Sequence, residues 1–518
     1  MDTRWMKSAC SRRQFLSGCG CCAGCVVAGS LVGSRPVLGA PSSNRKPKVR
    51  LVFCETTNDK PIWPNIGYDF DARRKCLLDA LARGCPDVEF LPVKVLEDPK
   101  HVDEVLARCK EVDGYMICVQ GLGWSNDIVR LSGTGKPTLV VDNLFGGSGL
   151  FLTQLPRIMA SGKPVDWVSS SRDEDVVASA RQFALLQQGK SAAEVAAAFR
   201  AARRANTPPA PATACRDDRV ALVPFEEAQR ALQKTKLLVV GGGWGGDAFR
   251  KAAEALAGVK MVAIDFKELA AAYDRADREA AKAFADRWMQ QAEKVVEPAR
   301  PAIEDAGAMY VAMKELLDKH GAQGISINCL GGFYGGHLKA YPCLGFCQLN
   351  DDGLVGGCEA DQLSAFTMAV MGALTGRPGF ISDPVIDTSK RQIIYAHCVG
   401  PTRVFGPKGP RNPYRIRTHS EDRKGAAIQS ILPENYMTTT LEIDPVARHV
   451  LFHQARSAGN NPSDMACRTK LEAVVHGDLE KLTETWRPGW HRVTVYGELR
   501  GLVDEICQRW KLKLIDEA

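Results

Sequence analysis

The chain has no Gly-x-Ser-x-Gly stretch, so the nucleophile elbow of a serine hydrolase has nothing to form from. Beyond its first 25 residues it has no Cys-x-x-Cys pair matched by a second, which excludes the common structural zinc frameworks. No dense basic stripe with interleaved aromatics occurs, and a net charge of +7 is small for 518 residues, so nucleic acid is excluded as a partner. The glycine run Gly241–Gly246 has no Walker lysine and reads as a tight strand-to-helix turn. Aromatic residues make up only 7% of the chain.

The remaining composition is that of a globular protein, with 45% hydrophobic and 25% charged residues. A chain of 518 residues exceeds one core and implies about three domains. Of 18 cysteines, five (Cys10, Cys19, Cys21, Cys22, Cys25) lie near the N-terminus. The other thirteen are scattered, an odd number that cannot pair fully within one chain. Several sit in apolar runs, as Cys54 and Cys118 do, and read as small buried hydrophobes.

The N-terminus reads as an address. Ser11-Arg12-Arg13-Gln14-Phe15-Leu16 matches the twin-arginine export motif, and Val37-Leu38-Gly39-Ala40 offers a cleavage site. The stretch from Leu16 to Val32 is too glycine-rich for a membrane anchor, so no stable span is expected once a signal peptide over residues 1–43 is removed. Leu16-Ser17-Gly18-Cys19 also matches a lipobox, leaving acylation of Cys19 open. The expected location is periplasmic or exported.

Strand-like runs at Val49–Phe53, Val88–Val93, Gly114–Val119 and Pro137–Asp142 alternate with helical patterns at Arg73–Arg83 and His101–Cys109. This predicts a parallel α/β domain over residues 47–175. A helical connection and Pro-rich linker follow over 176–214. A second α/β domain is expected over 215–328, with strands at Lys236–Val240 and Gly324–Cys329 and a long helical stretch from Lys267 to His320. From residue 329 to 518 the texture changes: glycine, proline and histidine are dense, and seven of the nine histidines lie between His337 and His491. The fold class expected is α/β, two Rossmann-like domains followed by a mixed α+β domain carrying the chemistry.

Within that last region stand Cys358-Glu359-Ala360-Asp361, Ser382-Asp383-Pro384, Ala396-His397-Cys398 and Trp490-His491-Arg492. Carboxylates and imidazoles suit a hard or borderline divalent cation, manganese above all. Taken singly, Glu359 reads as a helix-start acid, Asp383 as a turn former, His397 as a core histidine and His419 as part of a surface charge cluster. His337 reads either as a plain loop residue or as one lining the site.

Together with Asn328-Cys329-Leu330, Asn350-Asp351-Asp352-Gly353, Arg417-Thr418-His419 and His491-Arg492-Val493-Thr494-Val495-Tyr496-Gly497, these motifs resemble the L-fucose/L-arabinose isomerase superfamily. The resemblance implies a metal-dependent aldose–ketose isomerase-like enzyme acting on a sugar or sugar derivative through an enediolate. It implies Glu359 and Asp383 as acid/base pair and metal ligands, His491 as a ligand and His397 as a further one. It also implies a trimer or hexamer, with loops such as Gln120–Trp124 and Asn143–Gly147 of a neighbouring subunit covering the site. A non-catalytic exported carbohydrate-binding protein and a sugar lyase or epimerase on the same scaffold are the alternatives.

Overall fold

The computed structural model describes residues 45–121 and 127–518. The twin-arginine and lipobox motifs, and part of the Gln120–Trp124 loop, lie outside the described residues.

The first layer is a parallel sheet of β1 (Lys48–Cys54), β2 (Glu89–Val95), β3 (Gly114–Val119), β4 (Thr138–Asp142) and β5 (Val165–Ser169) in the order β2-β1-β3-β4-β5. The two-residue period of β1 divides its side chains between faces. Val49, Leu51 and Phe53 meet Leu77 and Leu81 of the helix Phe70–Gly84, while Val52 and Cys54 join the core of the opposite face. That helix starts where Asp69 accepts from the Ala72 N–H at 2.8 Å. The helix Ala192–Asn206, begun by a Ser191/Glu194 capping box, packs Phe199 into the same core. It therefore extends this layer past residue 175.

The chain then runs without regular structure from residue 207 to 224 before entering the second layer. Here β6 (Lys236–Val240), β7 (Lys260–Ile264), β9 (Gly324–Ile327) and β10 (Val355–Gly357) form a parallel sheet in the order β10-β9-β6-β7. The boundary expected at residue 328 falls between β9 and the strand that pairs with it, so this sheet does not end there. The expected helical stretch is three helices, Phe266–Arg275, Arg278–Gln291 and Arg300–His320, interrupted by the short strand β8 (Lys294–Val295).

The remaining strands are β11 (Phe380–Asp387), β12 (Gln392–His397), β13 (Tyr414–Arg417), β14 (Ala427–Ser430), β15 (Met437–Asp444), β16 (His449–Asn460), β17 (Thr469–His476), β18 (Arg492–Tyr496) and β19 (Lys513–Asp516). Strands β8, β13 and β14 make a small sheet. Antiparallel pairing runs β15-β18-β11-β12-β17-β16 and returns to β15, closing a six-stranded barrel to which β19 adds in parallel. Closure removes the free edges that an open antiparallel sheet would expose.

The barrel lumen is polar at one level. The Thr440 hydroxyl donates to Tyr395 Oη at 3.0 Å, and Tyr395 Oη lies 2.7 Å from His453 Nε2. These residues sit on strands that are not all neighbours in the ring, so the bonds cross the interior. Arg492, fully buried, pairs with Glu442 at 2.6 Å and with Glu517 at 2.8 Å. On the outer face Val493, Leu441 and Ile381 pack into the core of the second layer.

Candidate active site

A turn with unusual backbone presents Glu359. Glu359 and Ala360 adopt φ of 60° and 49°, the left-handed region that non-glycine residues rarely enter, at a cost of about 1–3 kcal/mol each. The turn is held from several sides. The Ala360 N–H donates to Ile327 O at 2.9 Å, the Asp361 N–H donates to Cys358 O at 3.2 Å, and Trp244 bridges Asp361. Gly243 lies against it so closely that an added Cβ would stand 2.5 Å from Ala360 O. Glycines 241, 243 and 246 have the spacing of a dinucleotide fingerprint, yet Gly243 serves this packing.

Three barrel elements bring the other groups. Asp383 lies on β11 opposite Ala396, His397 ends β12 and His491 precedes β18. His491 Nε2 stands 3.4 Å from Asp383 Oδ1 and 3.6 Å from Glu359 Oε2. His397 Nε2 stands 3.7 Å from Glu359 Oε1. Donor atoms of Asp383, His397 and His491 all lie within 4.8 Å of one another. The structure thus brings the four residues singled out in the sequence into one cavity.

The two histidines differ in what their second nitrogen does. His491 Nδ1 donates to Asp361 Oδ2 at 3.0 Å, which aims its Nε2 into the site. Burial disfavours charge on His491, but Glu359 and Asp383 beside it outweigh burial and hold its pKa well above the ordinary value. His397 Nδ1 accepts the Cys398 N–H at 3.0 Å, so the neutral ring carries its proton on Nε2, pointing at Glu359. Burial pushes the His397 pKa down to about 4, keeping it neutral. Burial first, and Asp383 after it, push the Glu359 carboxyl well above the usual range.

The donor set fits a divalent cation. The Nε2 of His491, whose ring proton sits on Nδ1, is buried with no hydrogen-bond partner and is free to ligate, and the Nε2–H of His397 is likewise unpartnered. Glu359 converges with His397 and the Cys358 thiol, and Asp383 with His397 and His491, so His397 belongs to both groups.

These groups line one cavity of about 350 Å³. Trp63, Trp244, Trp490 and Phe249 form its apolar side, and Trp244 is 59% exposed at the mouth. Trp63 and Gly149 come from the first layer of the same chain, so the chain covers part of its own site. The Ile66 N–H donates to Glu421 O at 2.7 Å and ties that cover down.

Several residues took on roles that reading the sequence did not assign. Asp361 caps the helix Gln362–Thr375 and orients His491; an acid two residues beyond Glu359 was its only signal. His419 is not in a surface charge cluster: it is buried, with Nδ1 3.3 Å from Asp422 Oδ1, and it lines the cavity with Glu421. Burial opposes its charge, yet the Asp422 bond and the nearby acids raise its pKa to about 9. His337 is exposed and stacks on Phe266 at 5.1 Å, outside the cavity lining.

No protein-family model matches the chain. Over 150 residues it is 27% identical to a sulfoquinovose isomerase from Clostridium sp. (strain MSTE9), a match covering 27% of this chain and 32% of that protein. The chain thus spans about a third of the length of the curated relative it matches. It is distantly similar to a sugar isomerase. Among solved structures, an ABC transporter periplasmic solute binding protein from Actinobacillus succinogenes 130z with bound D-allose is similar over 54% of this chain and 77% of that one, at 10% identity and a TM-score of 0.16. A likeness that slight carries no argument about the fold. No helix among the described residues is long and apolar enough to cross a membrane.

Proposed function

We propose that this chain is an aldose–ketose isomerase-like enzyme that works on a sugar through an enediolate, with Glu359 and Asp383 as its acid/base pair. The observation that carries the reading is the meeting of Glu359, Asp383 and His491 at the floor of a tryptophan-lined cavity. Such an enzyme removes a proton next to a carbonyl and returns it to the neighbouring carbon. One carboxylate takes the carbon-bound proton while its partner serves the hydroxyl proton.

Glu359, Asp383 and His491 would hold a divalent cation, manganese being favoured by mixed oxygen and imidazole donors. When bound, it supplies Lewis-acid stabilisation of the charge that develops on the sugar oxygens. His397, with Nε2–H facing the site, donates a hydrogen bond at its edge. Tryptophan faces suit the apolar faces of a sugar ring.

Among the described residues no lysine or arginine lines the cavity, whereas Glu359, Asp361, Asp383, Glu421, Glu442 and Asp444 do. That balance disfavours a sulfonated or phosphorylated sugar and favours an uncharged one. Export through the twin-arginine route and assembly into a trimer or hexamer belong to the same proposal.

The test is incubation of manganese-loaded protein with uncharged and anionic aldoses and ketoses in deuterated water. Deuterium should enter the carbon beside the carbonyl of an uncharged sugar, and both Glu359→Gln and Asp383→Asn should abolish it. Saturable sugar binding without exchange under any divalent metal would replace the isomerase with a binding protein.

A further inference from the structure

Beneath Glu359 lie two thiols that the acid/base chemistry does not use. Cys329 Sγ and Cys358 Sγ are 3.1 Å apart, well inside an ordinary non-bonded sulfur contact. Both residues are buried, at 2% and 4% exposure, and both are free thiols.

Strand pairing explains why they meet. β9 and β10 are neighbouring parallel strands with Gly357 opposite Ser326. Cys358 is the first residue after β10, and Cys329 follows β9 by two positions. The Ser326 hydroxyl donates to Cys358 O at 3.4 Å, and the Ala360 N–H to Ile327 O at 2.9 Å, so both strand ends are already held in register. From 3.1 Å the sulfurs must close by about 1 Å to reach the length of a disulfide bond. Cys358 lines the cavity, which gives a small oxidant a way in, whereas Cys329 does not.

We propose that Cys329 and Cys358 form a disulfide that staples the carboxyl ends of β9 and β10 directly behind Glu359. This goes beyond the isomerase reading and does not depend on it. The oxidant is a low-molecular-weight disulfide. The Cys358 sulfur attacks it and releases one small thiol, leaving a mixed disulfide. The Cys329 sulfur then attacks Cys358 Sγ and releases the second small thiol. Two protein thiols and one small disulfide become one protein disulfide and two small thiols. The bond would fix Cys358, the residue before Glu359, and so add a covalent hold on the left-handed turn that hydrogen bonds and packing already support.

The experiment uses the full chain, reduced, freed of reductant and treated with chelator so that no cation shields Cys358. It is exposed to oxidised glutathione, denatured in iodoacetamide and digested for mass spectrometry. A peptide joining Cys329 to Cys358, two hydrogens lighter than the sum of its parts and split by dithiothreitol, is the expected result. In Cys329→Ser the cross-link should vanish, and Cys358 should carry a glutathione adduct. Full alkylation of both cysteines after oxidation would overturn the proposal, as would a dominant cross-link from either one to Cys343, Cys398 or Cys467. Should the variant not fold, the map of the unaltered chain decides alone.

Discussion

Asp361 Oδ2 accepts the Nδ1–H of His491 across 3.0 Å, joining the N-cap of one helix to the residue just before a barrel strand 130 positions later. The same carboxylate accepts the Leu363 and Ser364 N–H groups at 3.0 Å, so its position is set by the helix it caps. Asparagine caps a helix as well as aspartate does but carries no charge to support an imidazole ligand. Asp361→Asn keeps the cap but turns an N–H toward the His491 Nδ1–H and the Ser364 hydroxyl, so it should cost about 1–3 kcal/mol of stability and weaken manganese binding by roughly 10–100-fold. Calorimetric titration beside a melting curve separates the two effects.

The two histidines are expected to part company in metal binding. His491→Gln should lose most of the bound manganese, because its Nε2 is the nitrogen freed by Asp361. His397→Gln should retain most of it and lose turnover instead, because its Nε2 carries the ring proton. Metal content after dialysis, set against the exchange rate for each variant, checks the split.

Arg492 is the main cation of the barrel interior, lying between Glu442 and Glu517 with its guanidinium 4.1 Å from the Trp486 ring centroid. Removing it leaves buried Glu442 without its partner and Glu517 with only His453 Nδ1 at 3.2 Å. Arg492→Met should cost about 3–5 kcal/mol of stability. Urea denaturation followed by tryptophan fluorescence measures it, and a loss below about 1 kcal/mol would mean that water reaches the lumen.

Asp142 supplies the pH prediction. It is 2% exposed and accepts from Ser148 and Ser169, each at 2.8 Å, but burial outweighs those bonds and raises its pKa to about 7. The ordinary value is 3.8, so between about pH 4 and 7 the folded chain holds a proton that the unfolded chain releases. Stability falls as pH rises through that window, by up to about 4 kcal/mol once both states are ionised. Asp142→Asn removes this slope. Denaturation midpoints at about pH 5 and about pH 8 should differ less in the variant than in the unaltered protein.

Much of the local structure was legible in the sequence, because strand and helix periodicities are properties of neighbouring residues. The runs at Val49–Phe53, Gly114–Val119, Lys236–Val240 and Arg492–Tyr496 appear as strands with ends moved by at most a few positions. β5 and β7 escaped notice, being short strands without clear flanking signals. Glu359, Asp383, His397 and His491 stood out because residue type and motif mark chemistry before any contact is known. Residue type also placed two Rossmann-like layers ahead of a histidine-rich region.

What the chain's order could not contain is which distant strands pair. β10 joins the second sheet through three residues, two of them glycine, that carry no strand pattern of their own. Barrel closure between β15 and β16 is likewise a long-range fact, and it turns Tyr395, Thr440 and His453 inward to meet. His419 looked like a surface residue because acids flank it in sequence, yet Phe333 and Tyr341 rings at 5.7 and 5.6 Å enclose it in space. The Asp361–His491 bond and the Cys329–Cys358 approach arise the same way. Sequence alone determined which chemical groups this protein carries and the elements they ride on. Tertiary structure decided which of them touch, because burial and hydrogen bonding between residues far apart in the chain depend on strand pairing that no local pattern encodes.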